Sequence, residues 1–209
     1  MKIVMYGDSI TDAGRNREDF WLSRYGFGYP SFIAGELLSE NANGYEIYNR
    51  GISGNRIVDL YARIKADVWN LESDVLSILI GINDIWHELG GKNGVELDRF
   101  DRIYRMMLDD TKKKLPNLQI ILMEPFVLKG SATEEKYEEF LEVKEYAKVV
   151  KKIAEDYNCV FVPLQEMLDK AAEKFGAEKV LADGVHPTIT GSKLIANEWL
   201  KTFNEKIKK

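Results

Sequence analysis

Two short runs, 75–80 (VLSILI) and 118–123 (LQIILM), are almost continuously apolar. A strand with one face in water alternates apolar and polar residues, so runs of this kind belong to strands covered on both faces. Such strands pair in parallel, and each parallel pair needs a crossover segment, commonly a helix. Helical spacing is present between the runs. Ile57, Leu60, Tyr61, Ile64, Val68 and Leu71 fall on one stripe of a helix. Phe100, Ile103, Tyr104, Met107, Leu108 and Leu115 form another, predicted to start at an N-cap at Asp98 and to end before Pro116. Residues 134–157 and 190–207 are further amphipathic stretches, the second carrying Leu194, Ile195, Trp199, Phe203 and Ile207. Other strand-length runs lie at 2–6, 46–49 and 159–162, so strand and helix alternate along the whole chain. The expectation is an α/β fold in three layers: a parallel sheet of about five strands, with helices on both faces, in one domain spanning 1–209.

The composition supports that reading and narrows the partners. The 209 residues, 45% of them hydrophobic, suffice for one core and are few for two. Net charge is −5 with both signs scattered, so the basic field that a nucleic-acid partner needs is missing. A single cysteine, Cys159, excludes an intramolecular disulfide and a cysteine-based zinc site. Set in the run CVFV, it reads as a small buried thiol. No stretch approaches the roughly 18 apolar residues of a membrane span. The first residues read as a strand rather than a signal peptide, which makes the cytoplasm the expected location. The composition is compatible with a homo-oligomer and does not fix one.

In open parallel sheets, ligands bind beyond the carboxyl ends of the strands. The segments found there are small and polar: Gly7-Asp8-Ser9, then Arg50-Gly51-Ile52-Ser53-Gly54-Asn55, then Gly81-Ile82-Asn83-Asp84. Near the C-terminus stands Asp183-Gly184-Val185-His186-Pro187. A serine hydroxyl becomes a nucleophile when a base removes its proton, and the base needs a third group to fix its tautomer. The chain has two histidines, His87 and His186. Over so short a loop Asp183 can reach Nδ1 of His186 and leave Nε2 for Ser9. Acyl transfer also needs donors where negative charge develops. The candidates are the backbone N–H of Ser9, the backbone N–H of Gly54 and the side-chain amide of Asn83. Each residue also has an ordinary reading: a turn serine, a turn cap, a polar surface histidine, a loop glycine and a loop asparagine. Their placement at separate strand ends favours the chemical one.

Gly7-Asp8-Ser9, Gly54, Gly81-Ile82-Asn83-Asp84 and Asp183-x-x-His186 together resemble the signature blocks of the SGNH (GDSL-type) hydrolases. The resemblance runs from residue 5 to residue 188. It implies a flavodoxin-like α/β/α fold and serine esterase chemistry without metal or cofactor. By position, Ser9 is the implied nucleophile, Asp183 the orienting acid and His186 the base, with an oxyanion hole of Ser9, Gly54 and Asn83. The longer strings GDSITDAGR, NRGISGNRIVDL and GINDIWH, followed by ILMEPF, are similar to a bacterial intracellular subgroup that removes acetyl groups from xylan fragments. The implied substrate is a small acetylated carbohydrate or short-chain ester.

Substrate choice lies in the surrounding loops. Trp86 and His87 follow the Asn83 block, and Phe20, Trp21 and Tyr25 follow the serine block. Aromatics there either stack on sugar faces or close a small acyl pocket. Trp86 also reads as core between Ile85 and Leu89, and His87 as a loop residue, because His186 already fills the base role. Asp8, Asp12 and Arg15 either hydrogen-bond a carbohydrate or close the loop after the first strand. The charge run Glu134, Glu135, Lys136, Glu138, Glu139 reads as a solvated helix face. Two other functions compete. A lysophospholipase or thioesterase needs a long apolar channel, and the loops carry no long aliphatic run. A non-catalytic carbohydrate-binding protein has no need of Ser9, Asp183 and His186 together.

Overall fold

The computed structural model describes residues 1–18 and 22–208. From the N-terminus it runs β1 (Lys2–Gly7), the single turn α1 (Ser9–Asp12), α2 (Tyr29–Glu40), β2 (Glu46–Asn49) and α3 (Ile57–Asp67). Then come β3 (Val75–Leu79), α4 (Ile82–Gly91), α5 (Leu97–Lys114) and β4 (Gln119–Met123). The last part holds α6 (Tyr137–Phe140), α7 (Val143–Asp156), β5 (Val160–Val162), α8 (Gln165–Phe175), α9 (Ala177–Val180) and α10 (Ile189–Lys206).

These strands form one parallel sheet of five in the order β2-β1-β3-β4-β5. All of β3 is buried, as its unbroken apolar run requires. The order dictates the layers. The first crossover steps outward from β1 to β2, and the later ones step back past β1 towards β5. Right-handed crossovers in opposite directions put their helices on opposite faces. Accordingly α3 packs on α5 and α5 on α7, while α2 packs on α10. Trp199 of α10 is fully buried and stacks on Phe203 with ring centres 4.8 Å apart. Its indole N–H donates to Ser77 Oγ of β3 at 2.9 Å, which satisfies two polar groups that are costly to bury unpaired.

Several boundaries differ from the expectation, each for a local reason. The stripe of 57–71 is helical only to Asp67, because Val68 leaves helical geometry at φ −128°. Trp69–Leu71 follows as a tighter turn, from which the Trp69 indole donates to Thr111 Oγ1. Asp98 is not an N-cap: α5 starts one residue before it, and Glu96 occupies the cap position without a side-chain bond. Buried Val95 sets that entry, its N–H donating to Asp84 O and its carbonyl accepting from Tyr146 OH. The stretch 134–157 is broken rather than continuous. Glu134–Lys136 is a tight turn, and Leu141 and Glu142 separate α6 from α7. Phe140 is buried at that break. Cys159 is half-buried, and burial pushes its thiol up to about 11.

Candidate active site

Because β1 lies between β2 and β3, the loops after these strands meet at one end of the sheet, where the crossover direction reverses. Ser9 opens α1 immediately after β1, Gly54 lies in the loop after β2, and Asn83 sits in the first turn of α4 after β3. Ser9 is therefore central, with a candidate oxyanion donor on either side. Gly54 adopts φ +82°, a left-handed conformation that glycine enters without the steric cost a Cβ imposes. The Asn83 amide is aimed by one of its hydrogens, which Nδ2 donates to Asn55 O at 3.1 Å.

The fourth loop completes the group. Ser9 Oγ lies 2.9 Å from His186 Nε2, and His186 Nδ1 lies 2.7 Å from Asp183 Oδ2. The other carboxylate oxygen of Asp183 accepts the backbone N–H of Val185 at 2.9 Å and of His186 at 2.8 Å. Burial alone raises the pKa of Asp183, but these bonds to the His186 backbone and ring and to Val185 outweigh it. The carboxyl is held below its ordinary value. A hydroxyl bonded to an imidazole whose far nitrogen faces a carboxylate can pass its proton to the ring as the oxygen attacks a carbonyl.

Residues 5–194 match the GDSL-like lipase/acylhydrolase family. The chain belongs to that family. It is a carboxylic-ester hydrolase, and relatives over nearly all of its length agree. An acetylxylan esterase of Geobacillus stearothermophilus is 33% identical over 96% of this chain and 92% of its own. The crystal structure of that enzyme superposes with a TM-score of 0.85 at 34% identity, covering 96% of this chain and 93% of the other. A putative GDSL-like lipase from Parabacteroides merdae superposes with a TM-score of 0.91 at 41% identity, covering 98% and 96%. No helix among the described residues of the esterase is long and apolar enough to cross a membrane. Among the same residues no group of three or more His, Cys, Asp and Glu is placed to hold a metal ion.

The esterase positions the remaining candidates unequally. Asp8 is fully buried and is the N-cap of α1, its Oδ1 accepting the Ile10 N–H at 2.9 Å. Arg15 is buried and closes the loop: its Nε donates to Gly51 O at 2.9 Å. Asp12 accepts the Ser53 N–H and hydroxyl, tying the loop after β2 to α1. Trp86 is half-buried, with its ring centre 5.9 Å from that of His186 and 5.8 Å from that of Phe140. His87 is half-buried on the same helix. Phe20 and Trp21 lie outside the described residues.

Two supporting clusters escape a reading of the sequence. The Asn49 amide at the end of β2 donates to Thr11 O at 2.6 Å and Tyr25 O at 2.9 Å, and its oxygen accepts the Gly51 N–H. The loop after β4 clasps the Asp183 turn through the backbone: Leu128 N–H donates to Gly184 O, and Ala132 N–H to Asp183 O. Gly130 allows that approach, since a Cβ there would lie 2.4 Å from the Asp183 carbonyl carbon. Buried Thr133 fixes the clasp, donating to Leu128 O and accepting from Gly130 N–H. An isolated glycine and threonine in a polar turn, KGSAT, are the only trace of it in the sequence.

Asp8 carries a measurable consequence. Burial, opposed by the Ile10 N–H and by His186, pushes its carboxyl up from 3.8 to about 7. Its Oδ2 is buried without a hydrogen-bond partner among the described residues. Below pH 3.8 the carboxyl is neutral in both folded and unfolded chains and costs nothing. Between 3.8 and about 7 the unfolded chain ionises while the folded one retains its proton, so stability falls as pH rises. Asp8→Asn escapes this loss. Its melting temperature relative to wild type is expected to climb by several degrees from pH 4 to pH 7, a difference of a few kcal/mol at most, and then to level off. Thermal melts across that range check it, and a gap that stays constant with pH rejects it.

Proposed function

We propose that the protein is a serine esterase that releases acetyl groups from acetylated xylo-oligosaccharides through Ser9, His186 and Asp183. The observation that carries the reading is the unbroken chain from Ser9 Oγ to His186 Nε2 at 2.9 Å and from His186 Nδ1 to Asp183 Oδ2 at 2.7 Å. Identity of 33% to an acetylxylan esterase over nearly the whole chain supports the substrate class.

In this reading Ser9 Oγ attacks the acetyl carbonyl carbon while His186 Nε2 takes the hydroxyl proton. The carbonyl π electrons move onto oxygen, which the Ser9 N–H, the Gly54 N–H and the Asn83 amide stabilise. When the tetrahedral intermediate collapses, the C–O bond to the sugar breaks. The imidazolium gives its proton to the departing sugar oxygen, and an acetyl ester remains on Ser9. Water then attacks that ester, losing its proton to His186, and acetate leaves as Ser9 regains its own. Asp183, held below its ordinary pKa, stays ionised throughout and steadies the imidazolium.

A substrate panel tests the reading. Acetyl esters should be turned over faster than octanoyl esters of the same alcohol, and acetylated xylo-oligosaccharides should be deacetylated with release of acetate. Equal or higher kcat/KM on octanoyl esters or acyl thioesters would make the protein a lysophospholipase or thioesterase instead.

A further inference from the structure

The charged turn at 134–136 is exposed, as its charge run implies, and part of it borders a recess lined by Trp86. Trp86 and Leu89 of α4 form one wall, Ala132 and Phe140 the facing side, and Glu135 and Lys136 the rim, around a space of 190 Å³. Trp86 and Leu89 are three positions apart, so they share a helix face with Asn83 three positions earlier. One helix thus carries an oxyanion donor in its first turn and the aromatic wall in its second. The Trp86 ring lies beside the His186 ring on one side and is set edge-on by buried Phe140 on the other. Ala132 is joined to the Asp183 turn through its N–H. Trp86 and Ala132 thus link the lining of the recess to the His186 ring and the Asp183 turn.

The histidine side of the site belongs to the alcohol. His186 Nε2 delivers the proton to the leaving oxygen, so the departing group lies by the imidazole, while the acyl oxygen turns towards Gly54 and Asn83. We propose that this recess binds a sugar ring of the leaving alcohol, with Trp86 as its platform and Glu135 and Lys136 meeting the ring hydroxyls. The inference rests on the assignment of Ser9, His186 and Asp183 as the reacting groups.

Size and chemistry agree. At about 30 Å³ per water, the space holds roughly six waters, the scale of one sugar ring rather than a chain of several. An apolar wall suits the C–H face of a pyranose, and a carboxylate with an ammonium suits its hydroxyls. An acyl tail would gain from the wall but would desolvate the rim charges. The rim is also tied to α4: Lys136 Nζ donates to Leu89 O at 2.7 Å.

The test compares methyl acetate, methyl butyrate and a monoacetylated methyl xyloside in wild type, Trp86→Ala, Trp86→Phe and Ala132→Phe. The readout is the ratio of kcat/KM for the xyloside to that for methyl acetate. Trp86→Ala and Ala132→Phe are expected to lower the ratio by about tenfold, chiefly through KM, as loss of one stacking contact implies. Trp86→Phe is expected to restore most of it. A ratio unchanged in both variants overturns the subsite and leaves the esterase assignment standing. So does a variant that alters preference between acetyl and butyryl methyl esters instead, since the recess would then hold the acyl group. A wild-type enzyme active on methyl acetate and inert on the xyloside overturns the sugar substrate itself.

Discussion

Ser9→Ala is expected to lower kcat by on the order of 10⁴–10⁶ on any acetyl ester, with the melting temperature unchanged. The size follows from what the hydroxyl does. Without it no acyl-enzyme forms, and what remains is direct attack by water aided by the oxyanion donors, worth roughly 10³ over solution. The fold has little reason to respond. Ser9 contributes to α1 through its backbone, its carbonyl accepting the Ala13 N–H at 2.9 Å. The cap is supplied by Asp8, not by Ser9. Alanine is a better helix former than serine, so the turn should persist. Acetyl-ester kinetics and a thermal melt measure the two halves, and rapid acid quenching followed by intact-mass analysis should show acetylated wild type and unmodified variant. More than about a tenth of wild-type activity in the variant would remove Ser9 from the nucleophile role.

How much of this was readable beforehand depends on which physical rule each element obeys. β3 and β4 are legible because burial on both faces leaves an apolar run that little else explains. Helices α2, α4 and α8 are not among those the spacing predicts. In α4 the first turn carries Asn83 and Asp84, both buried, so polar residues interrupt the stripe by which a helix is recognised. In α8 only Leu168 and Ala171 are buried, too narrow a stripe to stand out. α2 opens Tyr29-Pro30 and contains Gly35, which reads as punctuation before it reads as helix.

The candidate site divides along similar lines. Ser9, Gly54 and Asn83 are legible because they follow three adjacent strands, and the rule that ligands bind at strand ends needs no side-chain detail. Asp183 and His186 are legible because a three-residue spacing keeps them within reach of each other. The clasp from Leu128 and Ala132 is not, because it joins backbone groups some fifty residues apart in sequence, and Gly130 and Thr133, which shape it, read as an ordinary polar turn. Asp8 and Arg15 are polar residues beside the serine, and sequence alone could not separate a substrate contact from a buried cap or a loop tie. The structure shows both buried, Asp8 capping α1 and Arg15 bonded to Gly51 O.

Asp183→Asn is expected to lower kcat by about 10⁴ and to stay impaired at high pH. Asp183 Oδ1 accepts two backbone N–H groups, and an asparagine oxygen in that place keeps both bonds, so the turn should hold its shape. The amide nitrogen then falls where Oδ2 now faces His186 Nδ1 at 2.7 Å. It donates a proton where the wild-type group accepts one. The ring answers by adopting the tautomer with its proton on Nε2, and that nitrogen can no longer take the Ser9 proton. Raising the pH removes protons from an imidazolium but does not reverse a tautomer fixed by the neighbouring amide, so alkaline buffer should not rescue the variant. The charge is lost as well, and with it the stabilisation of the imidazolium formed in the transition state. Wild-type kcat/KM, by contrast, should fall about tenfold per pH unit on the acid side of one ionisation and recover above it. His87→Ala supplies the control, because it is His186 Nε2 that lies 2.9 Å from Ser9 Oγ. That variant should keep the acid limb that His186→Ala abolishes together with activity. If His87→Ala removed the limb instead, the base would be His87 and the hydrogen-bonded chain from Ser9 to Asp183 would not be the reacting one.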